Sequence, residues 1–142
     1  MPVVYLGLGS NLGDKRKNIE KAVTLINERA GEILALSGFY ETKPWGYDSS
    51  ETYINAAVKI DTYLQPEELL LVTQNIEQEV GRREKTVDGK YRDRVIDIDI
   101  LLYDDLTLQT KKLTIPHPLM YQRDFVLKPL SEIAPDDMIH PN

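Results

Sequence analysis

The sequence predicts an α+β fold, in which an antiparallel sheet carries helices on one face. Segments in which apolar and polar residues alternate, typical of strands, are interspersed with two segments whose apolar residues recur at helical spacing. In chain order the predicted elements run β-α-β-β-α-β and end in a helical C-terminal tail, which is the order of a ferredoxin-like arrangement. The chain has 142 residues, and we expect a single domain over residues 1–142.

The first half of the chain supplies three of the predicted strands and one helix. They are a strand at Val3 to Leu8, a turn at Gly7 to Asp14, a helix at Lys15 to Ala30, a strand at Ile33 to Tyr40 and a strand at Tyr53 to Asp61. Asp14 is a suitable helix N-cap. The third strand alternates, with Ile54, Ala56, Val58 and Ile60 on its apolar face and Tyr53, Asn55, Ala57 and Lys59 on the other.

The second half begins with a helix at Pro66, a favoured first position for proline. Its predicted buried stripe is Leu69, Thr73, Ile76 and Val80, and Gly81 ends it. The elements that follow are a fourth strand at Val95 to Tyr103, a short strand at Leu113 to Ile115 and a last helix at Val126 to Ile133, stopped by Pro135.

Composition excludes several classes of function. The net charge is −6, with 23 acidic against 17 basic residues, which argues against a general nucleic-acid binder. The absence of cysteine excludes disulfides and thiolate metal sites. No segment approaches the roughly 18 apolar residues needed to span a membrane. The N-terminus lacks a basic region before its apolar stretch and so does not resemble a signal peptide, and we expect a cytoplasmic protein.

Two carboxylates in the fourth strand are the strongest chemical signal. Asp97 and Asp99 share one face of the strand, because residues two apart point the same way, while the isoleucines between them face the core. Such a pair repels unless a cation lies near it, and Mg²⁺ prefers oxygen ligands. A solvent-exposed strand face is the competing interpretation, although aspartate is a poor strand former.

Basic residues precede this strand. Between Arg82 and Arg94 there are six bases against three acids, and arginine forks match phosphate oxygens bidentately. Metal ions and arginines around a phosphate chain are the working parts of phosphoryl transfer. A solvated charged loop is the alternative. The cations at Lys15, Arg16 and Lys17 oppose the helix dipole, and we expect them to be solvated, with assistance in binding an anion as the alternative.

Three further residues allow a structural or a functional interpretation. His117 lies between two prolines, where it either forms a structural hydrogen bond or contacts a ligand. Tyr53 and Asn55 share a strand face and either bind a flat heterocycle by stacking and hydrogen bonding or pack on a helix. The turn GLGSNLGD matches neither common phosphate-loop pattern, and a strand-to-helix turn is the favoured interpretation.

Together these motifs resemble the 6-hydroxymethyl-7,8-dihydropterin pyrophosphokinases of the folate pathway, and the resemblance covers nearly the whole chain. The segments that carry it are GSNLGD at Gly9 to Asp14, FYETKPWG at Phe39 to Gly46, YINAAV at Tyr53 to Val58, E-x₃-GR at Glu77 to Arg82, RVIDIDILLY at Arg94 to Tyr103 and TIPHPLMYQRDFVLKPLSEIAP at Thr114 to Pro135. The acidic strand followed by Pro-His-Pro at this distance is the most specific of them.

The resemblance implies a ferredoxin-like fold and transfer of pyrophosphate from ATP to a hydroxymethyl group, with release of AMP. It implies that Asp97 and Asp99 hold two Mg²⁺ ions and that Arg82 and Arg94 act in catalysis. The implied ATP-binding residues are Glu77, Arg82, Arg94, Ile100, Lys112, Thr114, His117 and Arg123. The implied pterin-binding residues are Thr42, Pro44, Trp45, Tyr53, Asn55 and Phe125.

The segment before the acidic strand departs from the common family pattern. Glu84 occupies the position of a family arginine, with Arg83 beside it, and Tyr91 stands where a tryptophan is usual; Arg92 is a candidate substitute for the missing arginine.

Two alternative functions stay open. One is a different metal-dependent nucleotidyl or phosphoryl transferase, and the other is a non-catalytic binding module. The expected partners are ATP and hydroxymethyl-dihydropterin, with neither nucleic acid nor membrane; the oligomeric state stays open, and a monomer is compatible.

Overall fold

The computed structural model describes residues 1–42, 52–81 and 95–139. Within these ranges the strands are β1 (Val3–Ser10), β2 (Glu32–Leu36), β3 (Tyr40–Thr42), β4 (Tyr53–Asp61), β5 (Asp97–Tyr103), β6 (Leu108–Gln109) and β7 (Thr114–Ile115). The helices are α1 (Lys15–Arg29), α2 (Pro66–Val80), α3 (Asp124–Ser131) and α4 (Asp136–Ile139), with a 3₁₀ turn at Met120–Gln122.

The main sheet is antiparallel throughout, in the order β2-β4-β1-β5, and β3 also pairs with β4. Helix α1 connects β1 to β2, with β4 between them, and α2 connects β4 to β5, with β1 between them. The predicted α+β class with an antiparallel sheet is therefore confirmed. Strands β1 and β4 are central in this sheet.

Helices α1 and α2 bury one face of the sheet. In α1 the Asp14 carboxylate accepts a hydrogen bond from the Lys17 backbone N–H at 3.2 Å, as the N-cap prediction requires. The apolar side chains that meet in this core include Val4, Leu6, Leu8, Ile19, Ala22, Ile26, Val58, Ile60, Leu69, Ile76, Ile98 and Ile100. The periodic apolar residues of both helices lie where their spacing predicts.

The opposite face is covered in part by the C-terminal helices, which corrects the expectation that helices lie on one face only. Helix α3 contacts β4, β1 and β3. A second apolar cluster lies beneath it, formed by Tyr5, Ala57, Leu101, Leu102, Met120, Leu130 and Ile139. The middle of the predicted polar face of β4 is buried, with Asn55 only 7% and Ala57 only 1% exposed, while Tyr53 and Lys59 are half-buried.

Strand predictions in the first half of the chain are wrong in their limits. Strand β1 continues through Ser10, so Gly9 belongs to the strand and not to the turn that follows, and Gly7, where the predicted strand and turn overlapped, is a strand residue as well. The predicted strand at Ile33 to Tyr40 is two strands, β2 and β3. Between them the Ser37 hydroxyl accepts a hydrogen bond from the Ala57 backbone N–H at 2.8 Å, which takes over one ladder position of β4.

The tail contains more structure than the sequence predicts. Strand β6 pairs with β7, and no pattern in the sequence predicts β6. Helix α3 begins at Asp124 and ends at Ser131, earlier than the predicted Val126 to Ile133, and α4 follows Pro135. Strand β5 begins at Asp97 instead of Val95.

Among the helices of the described ranges, none has the length and apolarity to cross a membrane.

Candidate active site

A pocket of about 760 Å³ occupies the part of the second face that α3 leaves uncovered. Its lining comes from four strands of the sheet and from the start of α3, and consists of Gly7, Leu8, Gly9, Thr42, Tyr53, Asn55, Ala56, Asp97, Asp99, Leu101, Gln122, Arg123, Asp124, Phe125 and Val126. We call this part of the face the open half and the part beneath α3, around Tyr5 and Ala57, the covered half.

Two glycines of β1 form the floor of the open half. Gly9 lies opposite Asp97 on one side and opposite Asn55 on the other, while Gly7 lies opposite Asp99. A Cβ at Gly9 would stand 3.0 Å from Asn55 Oδ1. Sequence reasoning missed the role of both glycines because it treated them as part of a glycine-rich turn, although Gly7 also fell within the predicted strand. The signal was present, since Tyr5, Gly7 and Gly9 alternate with core residues of β1.

Asp97 and Asp99 both line the pocket and are half-buried, whereas Ile98 and Ile100 lie in the core on the opposite face. The predicted alternation of this strand is therefore confirmed. A β-bulge interrupts the β1–β5 ladder just beyond them, because Leu6 pairs with Ile100 and Tyr5 with Leu102, which leaves Leu101 as an extra residue.

The bulge changes which side chains of β5 reach the second face. Leu101 and Leu102 both join the cluster beneath α3, although they are neighbours in sequence, and Tyr103 returns to the core beneath α1 and α2. The bulge thus marks the boundary between the open half, with its two carboxylates, and the apolar covered half.

The outer edge of β5 forms hydrogen bonds with Glu77 of α2 and with His117. Glu77 of α2 accepts a hydrogen bond from the Ile98 backbone N–H at 2.8 Å, between the two aspartates. The backbone N–H of His117 donates to the Leu101 carbonyl at 3.0 Å. His117 Nδ1 accepts a hydrogen bond from the Leu119 backbone N–H at 3.3 Å. These contacts fix the strand that presents the carboxylates.

Aromatic and amide groups line the other side of the pocket. The Asn55 side-chain amide lies 3.4 Å from the Thr42 hydroxyl, to which it donates. Tyr53 lines the pocket from β4, and Phe125, which is 41% exposed, lines it from the first turn of α3. The Arg123 guanidinium lies 5.6 Å from the centroid of the Phe125 ring, close enough for a cation–π contact.

The structure brings together seven of the residues predicted for the site around this pocket: Thr42, Tyr53, Asn55, Asp97, Asp99, Arg123 and Phe125. It does not place Glu77, Ile100, Lys112, Thr114 or His117 in the lining. Ile100 departs most from its predicted role in ATP binding, because its side chain is 3% exposed within the core and only its backbone could reach a nucleotide.

Other predicted residues lie outside the described ranges. They are Pro44 and Trp45, predicted for pterin binding, and Arg82 and Arg94, predicted for catalysis, together with Arg83, Glu84, Tyr91 and Arg92 of the segment that departs from the family pattern.

The donor set in the open half fits a hard divalent cation. Two carboxylates point into an open pocket, across from glycines that contribute no side chain. In the part of the chain that the structure describes, no group of three or more His, Cys, Asp and Glu side chains could hold a metal ion. Two carboxylates alone suit Mg²⁺, which keeps several water or phosphate oxygens as its remaining ligands.

Two tyrosines outside the pocket brace the fold. Burial raises the pKa of Tyr103, whose hydroxyl donates to the Leu64 carbonyl, and nearby acidic groups raise it further. Burial also raises the pKa of Tyr121, whose hydroxyl donates to the Met138 carbonyl at 3.3 Å. Both hydroxyls therefore stay protonated at neutral pH and hold connecting segments in place.

Comparison with known proteins gives consistent results. The family model for 7,8-dihydro-6-hydroxymethylpterin-pyrophosphokinase matches residues 5–135. A 2-amino-4-hydroxy-6-hydroxymethyldihydropteridine pyrophosphokinase of Porphyromonas gingivalis is 48% identical over 142 residues, covering 99% of this chain and 95% of the relative. A protein of the same name from Aquifex aeolicus is 47% identical over 141 residues, covering 99% of this chain and 85% of the relative.

A solved structure of wild-type Plasmodium falciparum HPPK-DHPS resembles the fold, with a TM-score of 0.73 at 18% identity. The match covers 95% of this chain and 40% of that one, so this chain spans well under half of the larger protein. The family model and the two relatives each match almost the entire chain. The matched ranges include the positions of the acidic strand and of the pocket lining. The chain belongs to the 7,8-dihydro-6-hydroxymethylpterin-pyrophosphokinase family.

Proposed function

We propose that this protein transfers pyrophosphate from ATP to the hydroxymethyl group of 6-hydroxymethyl-7,8-dihydropterin, releasing AMP in folate biosynthesis. Family membership over residues 5–135 and relatives that carry this activity in their names support the proposal. The structural observation that carries it is one pocket in which two same-face carboxylates lie across a glycine floor from an amide and an aromatic ring.

The pterin would bind on the β3–β4 side of the pocket. A pterin is flat, with a polar edge that both donates and accepts hydrogen bonds. Asn55 offers an amide of matching polarity, and Thr42 supplies a hydroxyl beside it. Tyr53 and Phe125 approach from the sheet and from α3, so they could enclose the ring between them. The bare floor at Gly9 leaves room for a flat ring.

The triphosphate of ATP would bind on the β5 side. Asp97 and Asp99 would hold two Mg²⁺ ions, with Arg123 at the rim of the same pocket. Bound there, the ions would neutralise charge on the phosphate oxygens as the transfer proceeds. Glu77 and His117 act in this arrangement through β5, which they hold at Ile98 and Leu101. Direct contacts of Glu77, Lys112, Thr114 and His117 with the nucleotide remain predictions.

The transfer itself needs positioning more than covalent chemistry by the protein. The pterin hydroxyl oxygen forms a bond to the β-phosphorus, and the bond between that phosphorus and the α–β bridging oxygen breaks. AMP leaves with the bridging oxygen, and the hydroxyl proton passes to solvent. Asn55 and Tyr53 orient the acceptor, while the strand carrying Asp97 and Asp99 stays fixed by its edge contacts.

The finer description of the fold belongs to the same proposal. The order β2-β4-β1-β5, with each helix crossing over one intervening strand, supports a ferredoxin-like core to which β3 and the C-terminal helices are added. Cytoplasmic location and organisation as a single domain remain predictions from the sequence, and the oligomeric state stays open.

Product analysis tests the function. The protein is incubated with MgATP and 6-hydroxymethyl-7,8-dihydropterin, and the nucleotides are separated. We expect AMP and the pterin diphosphate in equal amounts, and neither when the pterin is omitted. Free pyrophosphate with a nucleotidylated product would contradict the proposal and indicate nucleotidyl transfer. Absence of any Mg²⁺-dependent ATP binding in calorimetry would contradict it in favour of a non-catalytic binding module.

A further inference from the structure

The first turn of α1 carries three cations that oppose the helix dipole, and two of them have partners. Lys15 Nζ donates to the Thr52 carbonyl at 3.0 Å and lies 3.1 Å from the Thr52 hydroxyl oxygen. The Arg16 guanidinium lies 5.0 Å from the centroid of the Phe39 ring. Lys17 is exposed. The expectation that all three are solvated is therefore wrong for Lys15, which is half-buried, while Arg16 and Lys17 are exposed as expected.

Thr52 lies where the sheet gives β4 the least support. The ladder between β1 and β4 ends with Ser10 opposite Ile54, so Tyr53 and Thr52 extend beyond it. On the other side, the short strand β3 ends with Thr42 opposite Tyr53. Lys15 follows shortly after the end of β1 and reaches Thr52 at this point. Its ammonium supplies contacts beyond the end of the ladder.

The chemistry of this contact makes it suitable for holding a strand end. An ammonium that donates to a carbonyl forms a charge-assisted hydrogen bond, which is stronger than one between neutral groups. Lys15 is half-buried and its contacts with Thr52 are partly shielded from water, so salt screens them less than a fully exposed pair. One lysine thus ties the start of β4 to the first turn of α1.

The residues next to this tie are the ones proposed to hold the pterin. Tyr53 follows Thr52 directly, and Asn55 lies two positions further on the same face; both line the pocket. Asp97 and Asp99 are on β5, which is separated from β4 by the whole width of β1. A shift at the start of β4 would therefore move the pterin side of the pocket and leave the carboxylates in place.

We infer that Lys15 is a positioning residue that, through Thr52, holds Tyr53 and Asn55 in the arrangement in which they bind the pterin. The inference rests on the proposed function, because it names the substrate whose binding depends on the lysine. Lys15 touches neither substrate in this account. Its effect should appear in the Michaelis constant for the pterin and not in that for ATP.

The test compares Lys15→Met with Lys17→Met, which removes a neighbouring cation without a partner contact in the described structure. Both substitutions relieve the same conflict with the helix dipole, so a difference between them reports the tie to Thr52. For Lys15→Met we expect the pterin KM to rise roughly fivefold to tenfold, on the scale of one lost hydrogen bond. The KM for ATP and the kcat of Lys15→Met should change less than twofold. Lys17→Met should match the wild type, and Lys15→Arg, which keeps a cation at this position, should have a pterin KM close to that of the wild type.

Hydrogen exchange without substrate tests the tie independently of catalysis. In Lys15→Met, the amides of Tyr53, Ile54 and Asn55 should exchange faster than in Lys17→Met, while those of β5 should not. Unchanged exchange at these amides would overturn the inference. Faster exchange with an unchanged pterin KM, or an equal rise in the KM values for pterin and ATP, would overturn the positioning role. The proposed function would still stand in that case, provided that the wild type forms AMP. Absence of AMP formation by the wild type would overturn both.

Discussion

The covered and open halves of the second sheet face are built from the same strands, yet one is a core and the other a pocket. In the covered half β1 contributes Tyr5, which is 2% exposed beneath α3. In the open half β1 contributes Gly7 and Gly9, which leave a floor without side chains. Side-chain size on one central strand therefore decides where the face is filled by the protein and where it can accept a ligand.

The β-bulge at Leu101 sharpens this boundary. It places two consecutive leucines on the covered half, while the residues two and four positions earlier, Asp99 and Asp97, point into the open half. Apolar side chains and paired carboxylates thus adjoin along one strand, and Leu101 lies at the boundary, because it belongs to the apolar cluster and also lines the pocket. Substitutions in the open half should accordingly affect activity more than stability, and substitutions in the covered half should do the reverse.

The largest effect is expected from the carboxylates. Replacing Asp97 or Asp99 by asparagine should lower kcat/KM by about a thousandfold or more, because a charge proposed to hold Mg²⁺ at the triphosphate is lost. Stability should stay the same or rise slightly, since the two like charges no longer repel. Steady-state kinetics and thermal unfolding measure both. Asp105→Asn is the matched control, because Asp105 is exposed in the turn beyond the far end of β5; near-wild-type turnover in Asp97→Asn would be incompatible with a metal-binding role.

The second effect lies in the covered half. Leu130→Ala removes a fully buried side chain of α3 and should lower the free energy of unfolding by about 2–5 kcal/mol. At temperatures where the variant is folded, kcat should stay within about twofold of the wild type. Denaturant titration provides the free energy, with the exposed Leu71→Ala as control. A large loss of kcat in the folded variant would show that the two halves are not separable.

The third effect concerns the glycine floor. A methyl group at Gly9 would stand 3.0 Å from Asn55 Oδ1 and must displace that side chain, whereas at Gly7 it would meet the end of the Leu101 side chain at 3.3 Å. Gly9→Ala should raise the pterin KM roughly tenfold, within the range by which pocket contacts discriminate substrates. Gly7→Ala should raise it less, because the end of a leucine side chain can move. Equal effects of the two substitutions would argue against a specific role for Asn55.

The smallest effect is expected at the rim of the pocket. Phe125→Ala should raise the pterin KM about threefold to tenfold, the contribution of one aromatic contact. Leu119→Ala is the matched control, since Leu119 and Phe125 are both 41% exposed but only Phe125 lines the pocket. Fluorescence titration of the pterin against both variants makes the comparison. An identical affinity in the two variants would remove Phe125 from the pterin site.

Much of the fold could be predicted because its signals are local. Strand β4 has the predicted limits, and α1 and α2 begin at the predicted residues, since periodicity and caps are encoded within each segment. The facing of Asp97 and Asp99 followed from alternation within β5. Gly9 of β1 was misassigned because glycine favours turns in general, and its place in a strand is set by what must approach the backbone.

The remaining features depend on contacts between distant segments. The position of α3 on the second face depends on residues of β1, β4 and β5 that lie far from it in sequence. The contact of Lys15 with Thr52 joins residues 37 positions apart, and the one between Glu77 and Ile98 joins residues 21 apart. Local propensity contains no information on such pairings. For this reason sequence reasoning placed Lys15 in solvent.

In the proposed reaction, the open half of this face directs the pterin hydroxyl oxygen to the β-phosphorus of ATP. The most direct measurement uses 6-hydroxymethyl-7,8-dihydropterin with ¹⁸O in its hydroxymethyl group and follows the products by ³¹P NMR. We expect the isotope shift on the pterin-linked phosphorus of the pterin diphosphate and no label in AMP. Label in AMP, or a product that retains the α-phosphate with free pyrophosphate released, would contradict it.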